Sequence, residues 1–210
     1  MDVSPLLPLL MALAFGYGLG RYKTYVFQNR GEALLSRALK SRFGAPDYHL
    51  LNHVTLPLGE GSTQIDHILI SRFGVFVIET KDFQGWIFAS PSDRNWTQVF
   101  YRGKFRFQNP LRQNYMHARA VQSLLDFLPA DVIRPVVVFT GNAEFKTTVP
   151  DGVFNLAAFL AYIERQNVEV MSINRVQFCV GRIETARLSL TRATDVEHVQ
   201  RVRRRYGSNE

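Results

Sequence analysis

The segment IDHILISRFGVFVIETK, residues 65–81, determines the centre of the predicted fold. Apolar residues fill most of it, and RFG in its middle is typical of a tight turn, so two antiparallel strands are expected. Charge is costly to bury, yet Asp66 lies in the first strand, and Glu79 and Lys81 end the second. Counting outward from the turn puts Asp66 opposite about residue 80. Asp66 and Glu79 are therefore predicted to lie at the same end of the sheet.

Two carboxylates at one point favour a hard divalent cation, Mg²⁺ or Mn²⁺, which binds oxygen ligands. Asp66 and Glu79 are the candidate ligands, and the Thr80 carbonyl is a further one. Residues two apart on a strand share a face, so Lys81 lies beside Glu79. There its amine would position or deprotonate a water, or offset charge on a phosphate. The alternative is an ordinary surface ion pair that contributes little.

The segments around this hairpin predict an α/β fold. GEALLSRALKSRF at 31–43 has the apolar spacing of a helix, and Asn109 with Pro110 is typical of the start of another helix. Leu111, Tyr115 and Ala118 are expected on its apolar stripe. Other segments predict a strand at 48–58, short strands and loops over 84–107, a buried strand at 134–141, and helices near 156–166 and 172–184. This order favours an α/β sandwich around a mixed sheet.

The N-terminus differs from the rest of the chain. Residues 3–20 contain no charged residue, and as a helix they would span about 27 Å, close to the thickness of a bilayer core. Residues 1–22 are therefore predicted to be a membrane anchor, followed by a linker at 23–30. Basic residues after the span predict a single-pass protein of the inner membrane with its C-terminal domain in the cytoplasm. A helix docked on a soluble domain and a cleaved signal peptide are the alternatives.

The formal net charge of +7 favours anionic partners, either nucleic acid or lipid headgroups. Arg102, Lys104 and Arg106 alternate with aromatic residues, a pattern that suits a phosphate backbone with stacking bases, although a solvated hairpin explains it equally well. The basic segment 199–207 allows the same two interpretations. The single cysteine, Cys179, excludes an internal disulfide framework and is expected in the core. Phosphate-loop, zinc-finger and serine-hydrolase motifs are absent from the sequence.

Five segments in order resemble one family, the nuclease-related domain (NERD) proteins of the PD-(D/E)XK nuclease superfamily. The match extends from about Gly31 to Lys146, and its segments are GEALL, TQIDHILIS, GVFVIETKDFQGWI, FQNPLRQNYMHA and VVVFTGNAEFK. The resemblance implies a restriction-endonuclease-like core over 31–150, with 151–210 as a helical part of the same domain that ends in the basic tail. Ile65 departs from the proline in the superfamily's name.

The resemblance also implies roles for single residues. Glu32 matches the helix glutamate that completes the acidic site, Asp66 and Glu79 match the metal-binding acids, and Lys81 matches the catalytic lysine. Gln113 matches a glutamine on the following helix, and His117 lies one turn further on. Glu32 has an alternative role in favouring the helix dipole, and Gln113 one as a solvated helix residue.

The expected function is that of a membrane-anchored, metal-dependent nuclease that hydrolyses phosphodiester bonds of nucleic acid, with DNA the favoured substrate. A catalytically silent nuclease fold that binds nucleic acid or a protein partner at the membrane is the alternative.

Overall fold

A computed structural model describes residues 30–59, 61–101 and 103–188 of the chain. The predicted anchor (1–22), most of the linker (23–30), Arg102 and the basic tail (199–207) lie outside the described residues. Among the helices that are described, none has both the length and the apolar character needed to cross a membrane.

The helices and the longer strands follow one another in the order expected from the sequence, whereas the short strands at 143–145 and 153–155 are additional to those predicted. The helices are α1 (30–42), α2 (Pro110–Leu124), α3 (Leu156–Glu164) and α4 (Ile173–Ala186), with a short 3₁₀ turn at Ala130–Val132. The strands are β1 (Tyr48–Leu58), β2 (Gly61–Ser71), β3 (Gly74–Lys81), β4 (Gly85–Phe88), β5 (Asn95–Phe100), β6 (Gly103–Gln108), β7 (Ile133–Phe139), β8 (Ala143–Phe145) and β9 (Val153–Asn155).

The strands form two mixed sheets, which confirms the predicted α/β class. The large sheet has five strands in the order β1-β2-β3-β7-β9, and the small sheet has four in the order β6-β5-β4-β8. In the large sheet β1, β2 and β3 are antiparallel, whereas β3, β7 and β9 run parallel. In the small sheet β4 pairs antiparallel with β5 and parallel with β8. β3 therefore lies at the centre of the large sheet.

Helices cover both faces of the large sheet. One face, here called the α1 face, packs against α1 and α3 through a cluster that includes Leu35, Leu39, Leu69, Phe76, Ile78 and Phe159. The other, here called the α2 face, packs against α2 and α4 through a cluster that includes Ile68, Ile70, Val75, Val77, Val121 and Ile183. Cys179 is fully buried in the second cluster, as expected. Full burial of each such side chain is worth about 1.5–3 kcal/mol.

The turn between β2 and β3 sets the register that positions the acids. Ser71 pairs with Gly74, so the turn contains only two residues, and the paired register ends with His67 opposite Ile78. Continuing it by one residue places Asp66 opposite Glu79. The count from the sequence was therefore one residue too high, because the turn is shorter than the RFG motif suggests.

β1 changes the faces of its side chains at His53. Leu50 packs on the α1 face, but Val54 and Leu56, at positions of the same parity, pack on the α2 face. His53 lies between them with φ of 50°, a left-handed conformation that is unfavourable for a residue with a side chain. The pairs of β1 and β2 on either side of His53 also flank Asp66. The alternation of the sheet is therefore broken at the level of Asp66.

α2 begins as predicted but turns a different face to the sheet. The Asn109 side chain accepts a hydrogen bond from the Leu111 amide, and Pro110 occupies the first turn. Tyr115, predicted on the apolar stripe, is 55% exposed, and Asn114 is fully buried instead. Its amide donates to the carbonyls of Val77 in β3 and Val136 in β7, at 2.9 and 2.8 Å. These two polar contacts, which apolar periodicity does not register, fix the rotation of α2 over the sheet.

Candidate active site

Glu79 and Lys81 form a buried ion pair at the end of β3. Lys81 Nζ lies 2.5 Å from Glu79 Oε1, and only 2% of Glu79 is exposed. Both residues follow the buried Val75 and Val77 on the α2 face, so strand alternation brings the two charges together. The pair is therefore not the ordinary surface ion pair that was the alternative.

His117 holds the other side of the Glu79 carboxylate. Its Nε2 lies 3.2 Å from Glu79 Oε2, and its Nδ1 lies 2.6 Å from the hydroxyl of Thr63. An ionised carboxylate only accepts hydrogen bonds, so Nε2 carries the proton. The sequence places His117 one turn beyond Gln113 but does not indicate its partners. Its side chain is 6% exposed, and it belongs to the site.

Where the backbone pairing of β2 and β3 ends, the side chain of Asp66 supplies the next hydrogen-bond acceptor for β3. Its Oδ2 accepts a hydrogen bond from the Thr80 amide at 2.8 Å, where a backbone carbonyl of β2 would otherwise stand. The amide and carbonyl of one strand residue point to the same side, so the Thr80 carbonyl also points toward β2 and the Asp66 side. The Thr80 hydroxyl is buried and has no hydrogen-bond partner. The direction of the Thr80 carbonyl is compatible with its predicted role as a metal ligand.

Glu32 approaches from α1, at the opposite face. It follows Gly31, where a Cβ atom would come within 2.5 Å of the Thr140 hydroxyl, so only glycine lets α1 begin this close to the ends of β3 and β7. Glu32 Oε2 lies 3.3 Å from His53 Nδ1. The left-handed backbone of His53 thus supports a contact to the predicted helix glutamate.

The three acids have different pKa shifts. Burial raises the pKa of Asp66 well above its ordinary value, and the neighbouring carboxylates of Glu79 and Glu32 add to the rise. Burial likewise raises the pKa of Glu32. Burial would also raise the pKa of Glu79, but Lys81 and His117 outweigh it and lower that pKa to about 2. A proton entering the metal-free site therefore goes to Asp66 or Glu32, while Glu79 stays ionised.

Lys81 stays charged for the same reason. Burial would lower the pKa of its amine, but the Glu79 carboxylate, with Asp66 and Glu32 further away, raises it instead. Gln113 Oε1 lies 3.4 Å from Nζ, a long contact that places the predicted glutamine beside the lysine. The predicted residues Glu32, Asp66, Glu79, Lys81 and Gln113 are thus all brought to one end of β3.

The side chains are not arranged around a common metal position. In the three described ranges, no group of three His, Cys, Asp or Glu side chains stands close enough to hold a metal ion. The contacts of Glu79 explain this, because Lys81 and His117 engage both of its oxygens. The chemistry of the donors nevertheless fits Mg²⁺ or Mn²⁺, which prefer carboxylate and carbonyl oxygens. Burial is the main cause of the raised pKa values of Asp66 and Glu32, and neighbouring carboxylates add to both. A bound cation would favour the ionised form of each acid.

A groove of about 790 Å³ extends from Glu32 between α1 and β1. Arg37 and Lys40 line it on the helix side, and His67 lines it on the sheet side. His67 is buried, with Nδ1 2.7 Å from Asn52 Oδ1, and burial lowers its pKa to about 4. His67 is therefore a neutral histidine that is held in place by Asn52.

The predicted basic residues of the hairpin lie elsewhere. Lys104 and Arg106 are exposed on β6 of the small sheet, and Arg102 lies outside the described residues. β4 starts only four residues after Lys81, and Asn109 joins β6 to α2, so the small sheet grows out of the end of the large sheet that carries the acids.

Similarity to known proteins covers the part of the chain that forms this site. The model of the nuclease-related domain family matches residues 28–140. An uncharacterized protein of Bacillus anthracis is 45% identical over 97 residues, which cover 46% of this chain and 45% of that protein. The chain thus matches less than half the length of this relative. No solved structure matches significantly. The family match spans more than half of the chain and contains every residue brought together at the end of β3.

Proposed function

The chain belongs to the nuclease-related domain family, and from this premise we propose that it is a metal-dependent nuclease that hydrolyses phosphodiester bonds, with DNA as the favoured substrate. The observation that carries the proposal is the buried Glu79–Lys81 pair beside Asp66 at the end of β3. Burial of a charge pair lowers the stability of the fold unless hydrogen bonds engage both groups. Buried ionisable groups with shifted pKa values are typical of active sites. The helix-covered mixed sheet is compatible with a restriction-endonuclease-like core.

The side chains divide the chemistry among them. Glu32, Asp66, Glu79 and the Thr80 carbonyl would hold Mg²⁺ or Mn²⁺, which supplies polarisation of the phosphate and of the attacking water. Lys81 acts as a positive donor toward the charge that develops on the phosphate, since its raised pKa makes it a poor base. Gln113 helps to orient the Lys81 amine, and His117 holds the carboxylate of Glu79 in place.

A membrane location is part of the proposal. Residues 1–22 anchor the chain, with the nuclease-related domain in the cytoplasm, and the support is the uncharged stretch 3–20 followed by Arg21 and Lys23. The full chain is expected in the membrane pellet after a high-salt wash, and a chain that lacks residues 1–22 in the supernatant. Recovery of both in the supernatant would contradict the anchor.

A catalytically silent module that binds nucleic acid is the second candidate. One observation favours it: the Glu79 oxygens are both engaged, and the described acids do not surround a common point. For this candidate the buried pair is a structural feature only, and its removal would alter stability but no reaction.

Cleavage by the full-length chain in mild detergent separates the two candidates. Labelled linear duplex DNA, single-stranded DNA and RNA would be incubated with Mg²⁺, Mn²⁺ or a chelator. Cleavage is expected only with metal, and Asp66→Asn and Lys81→Met are expected to slow it by about 10²-fold or more. Arg42→Ala, which removes an exposed ion pair with Glu164, is the control and should cleave like the wild type. Absence of metal-dependent cleavage, or equal cleavage by Lys81→Met, would reject the nuclease.

A further inference from the structure

The small sheet exposes aromatic side chains between basic ones on one face. Directly paired strand residues share a face, and the register aligns Trp86, Val99 and Lys104 in one row. Phe88, Thr97 and Arg106 form the next row. Trp86 is 50% exposed and Phe88 is 41% exposed. This surface, defined by Trp86, Phe88, Lys104 and Arg106, is called the outer face of the small sheet.

The opposite face of the same sheet packs in part on the large sheet, although Phe105 of β6 on that face is 55% exposed. Ile87 and Trp96 are almost completely buried there, in a cluster with Val137 and Phe139 of the large sheet. The sheet is therefore already anchored through its inner face, and the aromatic residues of the outer face are not required for that packing. Large aromatic side chains left on an open sheet face mark a binding surface more often than isolated exposed residues do.

A third cation completes the outer face. Lys146 Nζ lies 4.8 Å from the centroid of the Trp86 ring, and it contacts the carboxylate of Glu144. Lys146 continues the register of β8 and lies on the same side as Trp86 and Phe88. The outer face thus has three basic side chains and one acidic one, so its charge is complementary to phosphate.

The spacing of the rings favours unpaired bases. Trp86 and Phe88 are two residues apart on one strand, which separates them by about 6.6 Å. Bases in a duplex strand are about 3.4 Å apart and stacked on each other, so their faces are not available to protein side chains. An extended single strand has wider base separations and free base faces, and aromatic residues stack on any base.

We propose that the outer face of the small sheet binds single-stranded nucleic acid, with Trp86 and Phe88 stacked on bases and Lys104 and Arg106 on phosphates. The inference rests on the proposed function, because it specifies the strand form that the nuclease-related domain engages. It adds the two aromatic residues to the basic residues expected from the sequence. Only three residues separate Lys81, at the end of β3, from the start of β4, the strand that carries Trp86 and Phe88.

Tryptophan fluorescence provides a direct test. The chain has two tryptophans, and Trp96 is 1% exposed whereas Trp86 is 50% exposed. Full-length protein in chelator, where no cleavage is expected, would be titrated with an unlabelled twelve-nucleotide thymidine strand and with a duplex of equal length. The single strand is expected to quench the Trp86 emission and to bind more tightly than the duplex.

Variants of the face sharpen the test. Trp86→Ala is expected to weaken single-strand binding about tenfold, measured by anisotropy of a labelled strand, and Trp86→Phe to retain most of it. Phe178→Ala, at a residue 56% exposed on α4, is the matched control and should bind like the wild type. Thermal melting of each variant checks that the fold is intact.

Two results would contradict single-strand binding by the outer face of the small sheet. One is unchanged single-strand affinity in Trp86→Ala, and the other is equal affinity for the duplex without quenching. Because binding is measured in chelator, the absence of binding at the outer face can be distinguished from the absence of nuclease activity. Metal-dependent cleavage without binding at Trp86 would support the nuclease and reject binding at the outer face. Binding at Trp86 without cleavage would support binding at the outer face and favour the silent module.

Discussion

Lys81 in the large sheet and Lys104 in the small sheet are the same residue in opposite surroundings. The Lys81 side chain is 14% exposed and lies against the carboxylate of a residue that is 2% exposed. Lys104 is exposed on β6, in line with an aromatic ring two strands away. One amine has a fixed partner inside the protein, and the other faces solvent.

The difference shows how position in the fold determines what a charge contributes. A buried charge that loses its partner costs several kcal/mol, so Lys81 and Glu79 depend on each other. A surface charge is screened by water and salt, and each one contributes a small amount to attraction of a polyanion. The large sheet is therefore suited to hold reacting atoms, and the small sheet to gather a strand.

The largest expected effect comes from the same substitution at both lysines. Lys81→Met is expected to lower the free energy of unfolding by about 3 kcal/mol, because it leaves the Glu79 carboxylate buried with only His117 as partner. Lys104→Met is expected to change it by less than about 0.5 kcal/mol. Urea unfolding of the metal-free full-length proteins measures both. Equal stability of the two variants would contradict the comparison.

Local signals explain which parts of the fold the sequence predicts. The β2–β3 hairpin follows from two apolar runs and a tight turn, and Asp66 meets Glu79 because counting along a hairpin is short-range. The α1 stripe and the Asn109 cap are equally local. Each depends on residues within one or two elements, where periodicity and capping chemistry are decisive.

The contacts that the sequence does not predict are long-range. His117 meets Glu79 only because Asn114 fixes the rotation of α2 over β3 and β7. β4 pairs with β8, which lies far along the chain and is only three residues long. The reversal at His53 breaks the alternation on which strand predictions rely. All three features depend on tertiary contacts, which the periodicity of a single sequence does not indicate.

The two acids of the large sheet give opposite pH effects of intermediate size. The folded pKa of Asp66 is raised, so its contribution to stability is present below about pH 4 and is lost as the pH rises through the raised pKa. In Asp66→Asn the uncharged side-chain amide can still accept the hydrogen bond from the Thr80 amide. It is expected to be more stable than the wild type at pH 8 in chelator by about 1 kcal/mol or more.

Glu79→Gln serves as the counterpart. The folded pKa of Glu79 is lowered to about 2, so its contribution is present above about pH 4.5 and is lost as the pH falls toward 2. The variant should therefore be less stable than the wild type at neutral pH, by about 3 kcal/mol at most, since one pKa unit corresponds to about 1.4 kcal/mol. Thermal melts from pH 3 to pH 8 compare the three proteins. The same sign for both variants at pH 8 would contradict the assigned environments.

The smallest effect is the salt dependence of strand binding, and it separates the two lysines once more. Removal of one basic side chain that binds a phosphate lowers the slope of log affinity against log salt by about 0.7 for a single strand. Lys104→Met is expected to reduce the slope by about this amount. Lys81→Met is expected to leave it unchanged, because Glu79 already neutralises Lys81 inside the protein. Anisotropy titrations of the thymidine strand in chelator, at salt concentrations from about 50 to 300 mM, measure the slopes. A slope reduced by Lys81→Met instead of Lys104→Met would move the binding surface from the small sheet to the end of β3.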